Sequence, residues 1–180
     1  MNKQFHFLAI FLLASLFVSA QYKLVNDKST MSINGTSNLH DWTESVKTMS
    51  GSMAANVSGT SIQSISSLKL TVVVASIKSD HSAMDKNTYK ALNQTKYPNI
   101  TYDLQSIAIA ADKATMEGNL TIAGVTRKVK ITTGYKVSGN SITLTGQYTF
   151  KMTDFKIDPP TALMGTMTTG DQITVKFNVL

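Results

Sequence analysis

The sequence predicts an all-β, antiparallel fold with one short helix, and two observations carry this prediction. Apolar and polar residues alternate along residues 141–152 and 172–180. Alternation with a period of two is typical of strands that bury one face and leave the other in water. Turn-forming residues separate about eight or nine such runs, and a single domain of that many strands closes as a barrel or packs as a sandwich.

Residues 1–20 have the pattern of an export signal. Lys3 supplies a positive charge, residues 8–18 form an apolar stretch, and residues 18–20 are a small-residue cleavage site. We therefore expect cleavage near Ala20, a mature chain that begins at Gln21, and a periplasmic or secreted location. The apolar stretch is short for a membrane span, which needs roughly 20 apolar residues, and no later segment is long enough for an integral membrane span.

The expected elements follow the chain in order. Residues 22–25 and 30–35 predict the first strand or strand pair. Further strands are predicted over residues 42–49, 51–57, 62–77, 100–109, 115–122, 125–137, 141–152 and 172–180. Residues 82–92 break the alternation and predict a helix, with Ser82 and Asp85 spaced as in a capping box. This helix would cross outside the sheet or plug one end of a barrel. Gly139-Asn140 predicts a tight hairpin turn between two alternating runs.

Composition limits the function. Residues 21–180 are enough for one domain with a real core, and the absence of Cys excludes disulfides, thiol catalysis and Cys-based metal sites. The net charge is +6, but the chain has a single Arg and no dense basic run. We therefore expect no nucleic-acid partner.

Candidate catalytic chemistry is sparse. His40-Asp41 is the one adjacent His–carboxylate pair, and it could act as a general base oriented by an acid or simply form a turn. No third catalytic partner can be named. The mature chain has two His residues, which is too few to predict a metal site. We expect a non-catalytic protein without a metal or cofactor.

Four segments, taken together and in order, resemble the YceI-like family of polyisoprenoid-binding proteins. They are GTSNLHDW at residues 35–42, SIKS at 76–79 with the helix after it, KYPNITY at 96–102 and GNLTIAGVTR at 118–127. The resemblance covers nearly all of the mature chain, so residues 21–180 are expected to form one YceI-like domain. The sequence departs from the family at Lys151, where many members have an Arg. The Lys keeps the positive charge but lacks the planar guanidinium group.

The resemblance implies an eight-stranded antiparallel barrel, lipocalin-like in shape, that holds a long isoprenoid tail inside. The expected ligand-binding residues are Trp42, Leu70, Val72, Val74, Tyr102, Leu104, Leu120, Ile122, Tyr148 and Phe150. These positions would equally form the core of a filled barrel. Charge and motif position make His40, Arg127 and Lys151 candidate contacts for the head group.

A loop after Asp158 adds two further candidates, Leu163 and Met164, in an uncharged apolar stretch. This loop would be a lid over an apolar cavity or would pack on its own barrel. The leading hypothesis is thus an exported carrier of a polyisoprenoid or other long-chain lipid. The alternative is a periplasmic interaction or stress-response module with a filled core. A strand with an unpaired edge could also pair with a second copy of the chain and form a homodimer.

Overall fold

The computed structural model describes residues 19–162 and 165–180. The predicted export signal therefore lies outside the described residues, except for Ser19 and Ala20. Leu163 and Met164 also lie outside them. Within the part of the chain that is described, no helix has the length and apolar content needed to cross a membrane.

Most of the described chain is β-strand. The strands are β1 (Ala20–Lys23), β2 (Thr30–Ser37), β3 (Trp42–Val46), β4 (Met49–Ser58), β5 (Ser61–Val73), β6 (Ile77–Lys78), β7 (Asn99–Ala110), β8 (Lys113–Ile122), β9 (Val125–Ser138), β10 (Ser141–Lys151), β11 (Thr161–Ala162) and β12 (Met167–Val179). One helix, α1 (Ser82–Ala91), lies between β6 and β7. The predicted helix is confirmed.

Three bends, at residues 24–29, 47–48 and 74–76, interrupt the first part of the chain. They separate β1 from β2, β3 from β4 and β5 from β6, and the two strands on either side of a bend form a bent pair. β4 pairs with β1 and β5, while β3, on the other side of its bend, pairs with β2 and β6. Backbone hydrogen bonds also bridge these bends, from Lys47 N to Ser76 O at 3.0 Å and from Val25 N to Leu180 O at 2.6 Å. Each pair therefore continues as one long, bent row.

The remaining pairings close these rows into a barrel. Neighbours run from β5 through β7, β8, β9, β10 and β12 to β2, and all pairs are antiparallel. Since β12 pairs with β2, the sheet returns to the strands with which it began. A closed sheet leaves few unpaired edges.

The predicted all-β antiparallel fold is confirmed, and only the strand count differs. The sheet contains twelve described strands, of which eleven lie along its hydrogen-bonded path and β11 pairs with β12 alone. The excess over eight arises because the three bends interrupt the ladder without ending the row. When each bent pair is counted once, eight rows surround the barrel.

The hairpin predicted at Gly139-Asn140 is confirmed. Ser138 and Ser141 are directly opposite each other in the ladder, so the connection has two residues. Gly139 has a φ of 55°, which a residue without a side chain adopts at no steric cost.

The helix closes one end of the barrel. Ala91, the last residue of the helix, and Leu92 directly after it pack on a cluster that includes Ile122, Phe155 and Ile173. The expected capping box is wrong: His81 precedes the helix without a side-chain cap, and the Asp85 carboxylate faces back to the chain before it. Asp85 Oδ1 accepts hydrogen bonds from Ser79 N at 2.7 Å and Ser79 Oγ at 2.8 Å, and Lys78 Nζ lies 3.3 Å from Oδ2.

Part of the barrel interior is filled toward the opposite end. Ala55, Ile62, Ile65 and Val137 are each at most 6 % exposed and belong to one cluster. Toward the helix, other inward positions are only half-buried, among them Leu70, Leu120, Tyr148 and Phe150. Side chains that face inward and still remain accessible indicate an unfilled space.

Replacing Asp85 with Ala should loosen the helix. The change removes two hydrogen bonds to Ser79 and the ion pair with Lys78, so the free energy of unfolding should fall by about 1–3 kcal/mol. Urea denaturation measures this loss. Asp80→Ala is the matched control, because Asp80 is exposed in the same connection.

The same variant has a pH signature. The hydrogen bonds from Ser79 hold the pKa of Asp85 below its ordinary value of 3.8. The stabilisation is therefore complete above that value and is lost as the pH falls through the lower, folded-state pKa. A difference between Asp85→Ala and the unaltered protein that persisted unchanged into strong acid would contradict this assignment.

Candidate ligand-binding cavity

A cavity of about 700 Å³ lies inside the barrel. This is within the range of roughly 300–1,000 Å³ that is usual for small-molecule sites. It extends from α1 and Pro160-Thr161 at one end to Asn140 and Ser141 near the other. Most of its lining comes from alternate residues of the strands, as the pleat requires of an inward face, whereas residues 21–25, 51–53 and 68–70 line it consecutively.

Eight of the predicted ligand-binding residues line this cavity. They are Trp42, Leu70, Val72, Tyr102, Leu120, Ile122, Tyr148 and Phe150. Their positions follow from the alternation that predicted them. That they contact a ligand stays a prediction.

Two other predicted residues do not line the cavity. Val74 is buried at 1 % exposure, but it begins a 3-10 turn after β5 and its N donates to Pro98 O at 2.9 Å. The bend therefore ends the alternation that Val72 obeys. Leu104 packs against the filled end of the barrel, beside a register shift between Leu104 and Ser106.

The three head-group candidates are not brought together. His40 lines the cavity near its helix end, with Nδ1 2.8 Å from the backbone O of Asp41. Arg127 is not part of the lining, and its Nε donates to Asp154 O at 2.7 Å. Lys151 is exposed and also outside the lining, because it follows the inward-facing Phe150 on β10.

The pair His40-Asp41 does not form a general-base arrangement. The His40 ring contacts the backbone carbonyl of Asp41, and no hydrogen bond joins it to a described carboxylate. Among residues 19–162 and 165–180, no group of three His, Cys, Asp or Glu side chains could hold a metal ion.

The predicted lid residues Leu163 and Met164 lie outside the described residues. The residues on either side of them can be placed: Pro160, Thr161 and Met167 all line the cavity. Pro160, Thr161 and Met167 therefore lie along the helix end of the cavity.

The indole ring of Trp42 packs directly against the backbone of a glycine. Gly35 is directly opposite Trp42 in the ladder, and a Cβ at position 35 would overlap the indole ring. The indole Nε1 donates to Thr36 O at 3.0 Å. The glycine in the GTSNLHDW segment therefore provides the space that the ring occupies.

Tyr102 is placed by a second glycine. A Cβ at Gly118 would overlap the end of the Tyr102 ring. The Tyr102 hydroxyl is buried and has no hydrogen-bond partner among the described residues, and burial raises the pKa of Tyr102 to about 12. An unpaired buried hydroxyl costs stability. Packing of a filled core alone therefore does not explain a hydroxyl at this position.

Sequence reasoning missed several lining residues. Ile173, Val175 and Phe177 were recognised as a strand, and their alternation already marked them as inward. All three line the cavity. Val175 and Phe177 of β12 lie opposite Ile33 and Met31 of β2, which line it as well. Alternation with a period of two is the signal that assigns these residues to the inward face of their strand.

Glu44 also lines the cavity, and the sequence pattern could not predict this. It follows Trp42 on the same face of β3 and is only 2 % exposed, yet a charged residue in a strand usually faces water. Thr88 Oγ1 of α1 donates to Glu44 Oε1 at 2.7 Å. Burial raises the pKa of Glu44, the hydrogen bond from Thr88 opposes this, and the negative charge of Asp85 adds to it.

These features define a class of protein: a closed antiparallel barrel with a helix over one end and an apolar cavity inside. A family model for the YceI-like domain matches residues 22–180. The chain therefore belongs to the YceI-like family. No curated protein matches the sequence.

Solved structures share the fold at low sequence identity. Burkholderia cenocepacia BcnA is similar with a TM-score of 0.74 and 20 % identity, covering 87 % of this chain and 98 % of that one. A polyisoprenoid binding domain from Saccharophagus degradans, implicated in plant cell wall breakdown, has a TM-score of 0.70 and 13 % identity, covering 89 % and 97 %. The Campylobacter jejuni YceI protein has a TM-score of 0.58 and 17 % identity, covering 98 % and 91 %.

Adding one methyl group at Gly35 should displace Trp42. The indole cannot stay where a Cβ must be, so Gly35→Ala should expose the ring and shift its fluorescence to longer wavelength. Trp42 is the single Trp of the chain, so the signal has one source. Gly134→Ala is the control, because its Cβ would make only an ordinary contact at 3.7 Å. An unshifted spectrum for Gly35→Ala would show that this packing is wrong.

Proposed function

We propose that this protein is an exported, non-catalytic binding protein that holds a polyisoprenoid or similar long amphiphile inside its barrel. The observation that carries the proposal is the cavity inside the barrel, where inward apolar side chains such as Leu70 and Leu120 remain accessible. Membership in the YceI-like family and the fold shared with a polyisoprenoid binding domain support the same ligand class.

The lining suits such a ligand. An isoprenoid tail offers no hydrogen bonds, so its site needs apolar area and shape alone. Removing a few hundred Å² of apolar surface from water at about 25 cal/mol per Å² contributes roughly 10 kcal/mol before the costs of binding. The stacked pair Tyr148 and Phe150, with ring centroids 5.7 Å apart, adds flat apolar surface on one side.

The alternative function, an interaction module without a lipid ligand, predicts a filled core and a large exposed apolar patch. The cavity is contrary to the first expectation. For the second, the exposed large apolar side chains among the described residues are Val25 and Leu39. Single exposed apolar residues are normal on a soluble surface.

Filling the cavity should abolish binding. Leu120 lines it, so Leu120→Trp should occupy the space of the tail and weaken binding of a polyprenyl alcohol at least ~10-fold, equivalent to about 1.4 kcal/mol. The measurement is a titration of the purified mature protein by isothermal calorimetry. The melting temperature should change little, since the added ring enters empty space.

The matched control is Asn119→Trp on the next residue of β8. Asn119 is not part of the lining, so the same bulk is added outside the barrel and binding should remain. Equal affinities for the Leu120→Trp and Asn119→Trp proteins would refute a tail site in this cavity.

A further inference from the structure

Glu44 is a buried carboxylate in the lining of an otherwise apolar cavity. It lies between Trp42 and Val46 on the inward face of β3, directly opposite Ile33 of β2. The chain has a second Glu, Glu117, but that one is on the outside of the barrel with Lys128 and Lys130. Glu44 thus differs from ordinary surface carboxylates.

The hydrogen bonds of Glu44 are incomplete. Its Oε1 accepts from Thr88 Oγ1 at 2.7 Å, whereas Oε2 receives no hydrogen bond from the described residues. None of the ion pairs of the described chain includes Glu44. A carboxylate has about four acceptor positions, so most of its capacity is left unused.

This arrangement is costly for a purely structural residue. Burying an unpaired carboxylate costs several kcal/mol of stability, and burial raises the pKa of Glu44 accordingly. A Gln would accept the same hydrogen bond from Thr88 without a charge. A carboxylate at this place is therefore better explained by a partner that enters the cavity.

No cation of the described chain forms an ion pair with Glu44, and Lys78, which lies opposite Ser45 on the neighbouring strand, pairs with Asp85 instead. Lys86 and Lys90 of α1 are outside the lining, and the titratable residues near this end that do line the cavity are His40 and His81. Lys23 and Lys69 also line the cavity, but they lie opposite Ser52 of β4, and the bend between β3 and β4 separates Ser52 from Glu44.

We propose that Glu44 is the head-group acceptor of the cavity, and that the ligand is a long amphiphile whose head donates hydrogen bonds. An ammonium, amide or hydroxyl group fits this chemistry, and a phosphate does not, because its charge would be repelled by the carboxylate. The head would lie between β3 and α1, and the tail would extend toward the filled end. This proposal rests on the proposed function, since it assigns an orientation within the same cavity.

The test compares three probes with one tail: geranylgeranylamine, geranylgeraniol and geranylgeranyl monophosphate. Calorimetric titration of the unaltered protein should give binding of the amine and the alcohol at least ~10-fold tighter than of the phosphate, as expected for a charge-assisted hydrogen bond. Glu44→Gln should weaken amine binding by a similar factor and bring the amine and the phosphate closer together.

Glu117→Gln is the matched control, because it makes the same chemical change outside the barrel. It should leave the order of the three probes as it is in the unaltered protein. Thermal unfolding of each ligand-free variant verifies that it folds. The preference of the unaltered protein remains a test of its own if Glu44→Gln does not fold.

Three results would overturn the proposal, each in a different way. Binding of all three probes with no preference, or with the phosphate bound most tightly, would refute the head-group assignment and leave the lipid-binding function standing. No binding of any probe would refute both. An amine-to-phosphate ratio unaffected by Glu44→Gln would likewise refute the role of Glu44.

Discussion

The size of the inward side chains determines what this barrel can do. The pleat points every second residue of each strand into the barrel, and closure leaves those residues no other place to go. At one end, branched aliphatic residues such as Ile62, Ile65 and Val137 pack together in one cluster. Toward α1, inward side chains such as Leu70, Leu120 and Tyr148 are only half-buried, and they line the cavity that remains.

The helix end combines closure with polarity. α1 is held to the sheet by Asp85 through Ser79, and by Tyr89, whose hydroxyl donates to Ile77 O at 2.8 Å. Thr88 of the same helix binds the buried Glu44. The element that covers the cavity is therefore also the one that positions its buried carboxylate. A ligand that bonds to Glu44 would contact both the sheet and its cover.

The sequence predicted the features that depend on local pattern. Alternation located the strands, Gly139-Asn140 located a hairpin, and the break in alternation located α1. It could not predict the bends, because these depend on which strands pair across them. Val74 shows the consequence: it continues the pattern of Leu70 and Val72 in sequence, but the bend removes it from the cavity lining.

Polar contacts between distant residues were also beyond sequence reasoning. Glu44 is 44 positions from Thr88, and Arg127 bonds to a backbone carbonyl 27 positions away. Neither partner is visible in a local pattern. A polar residue in an alternating strand suggests the outer face, so an inward Glu is assigned wrongly until its partner is known.

The measurement that tests the central claim most directly is native mass spectrometry of the mature protein purified from its own host, followed by organic extraction of any bound molecule. The account predicts a discrete added mass that extracts as a polyprenyl or similar long-chain amphiphile. An unliganded mass that stays unchanged after incubation with such lipids would contradict it.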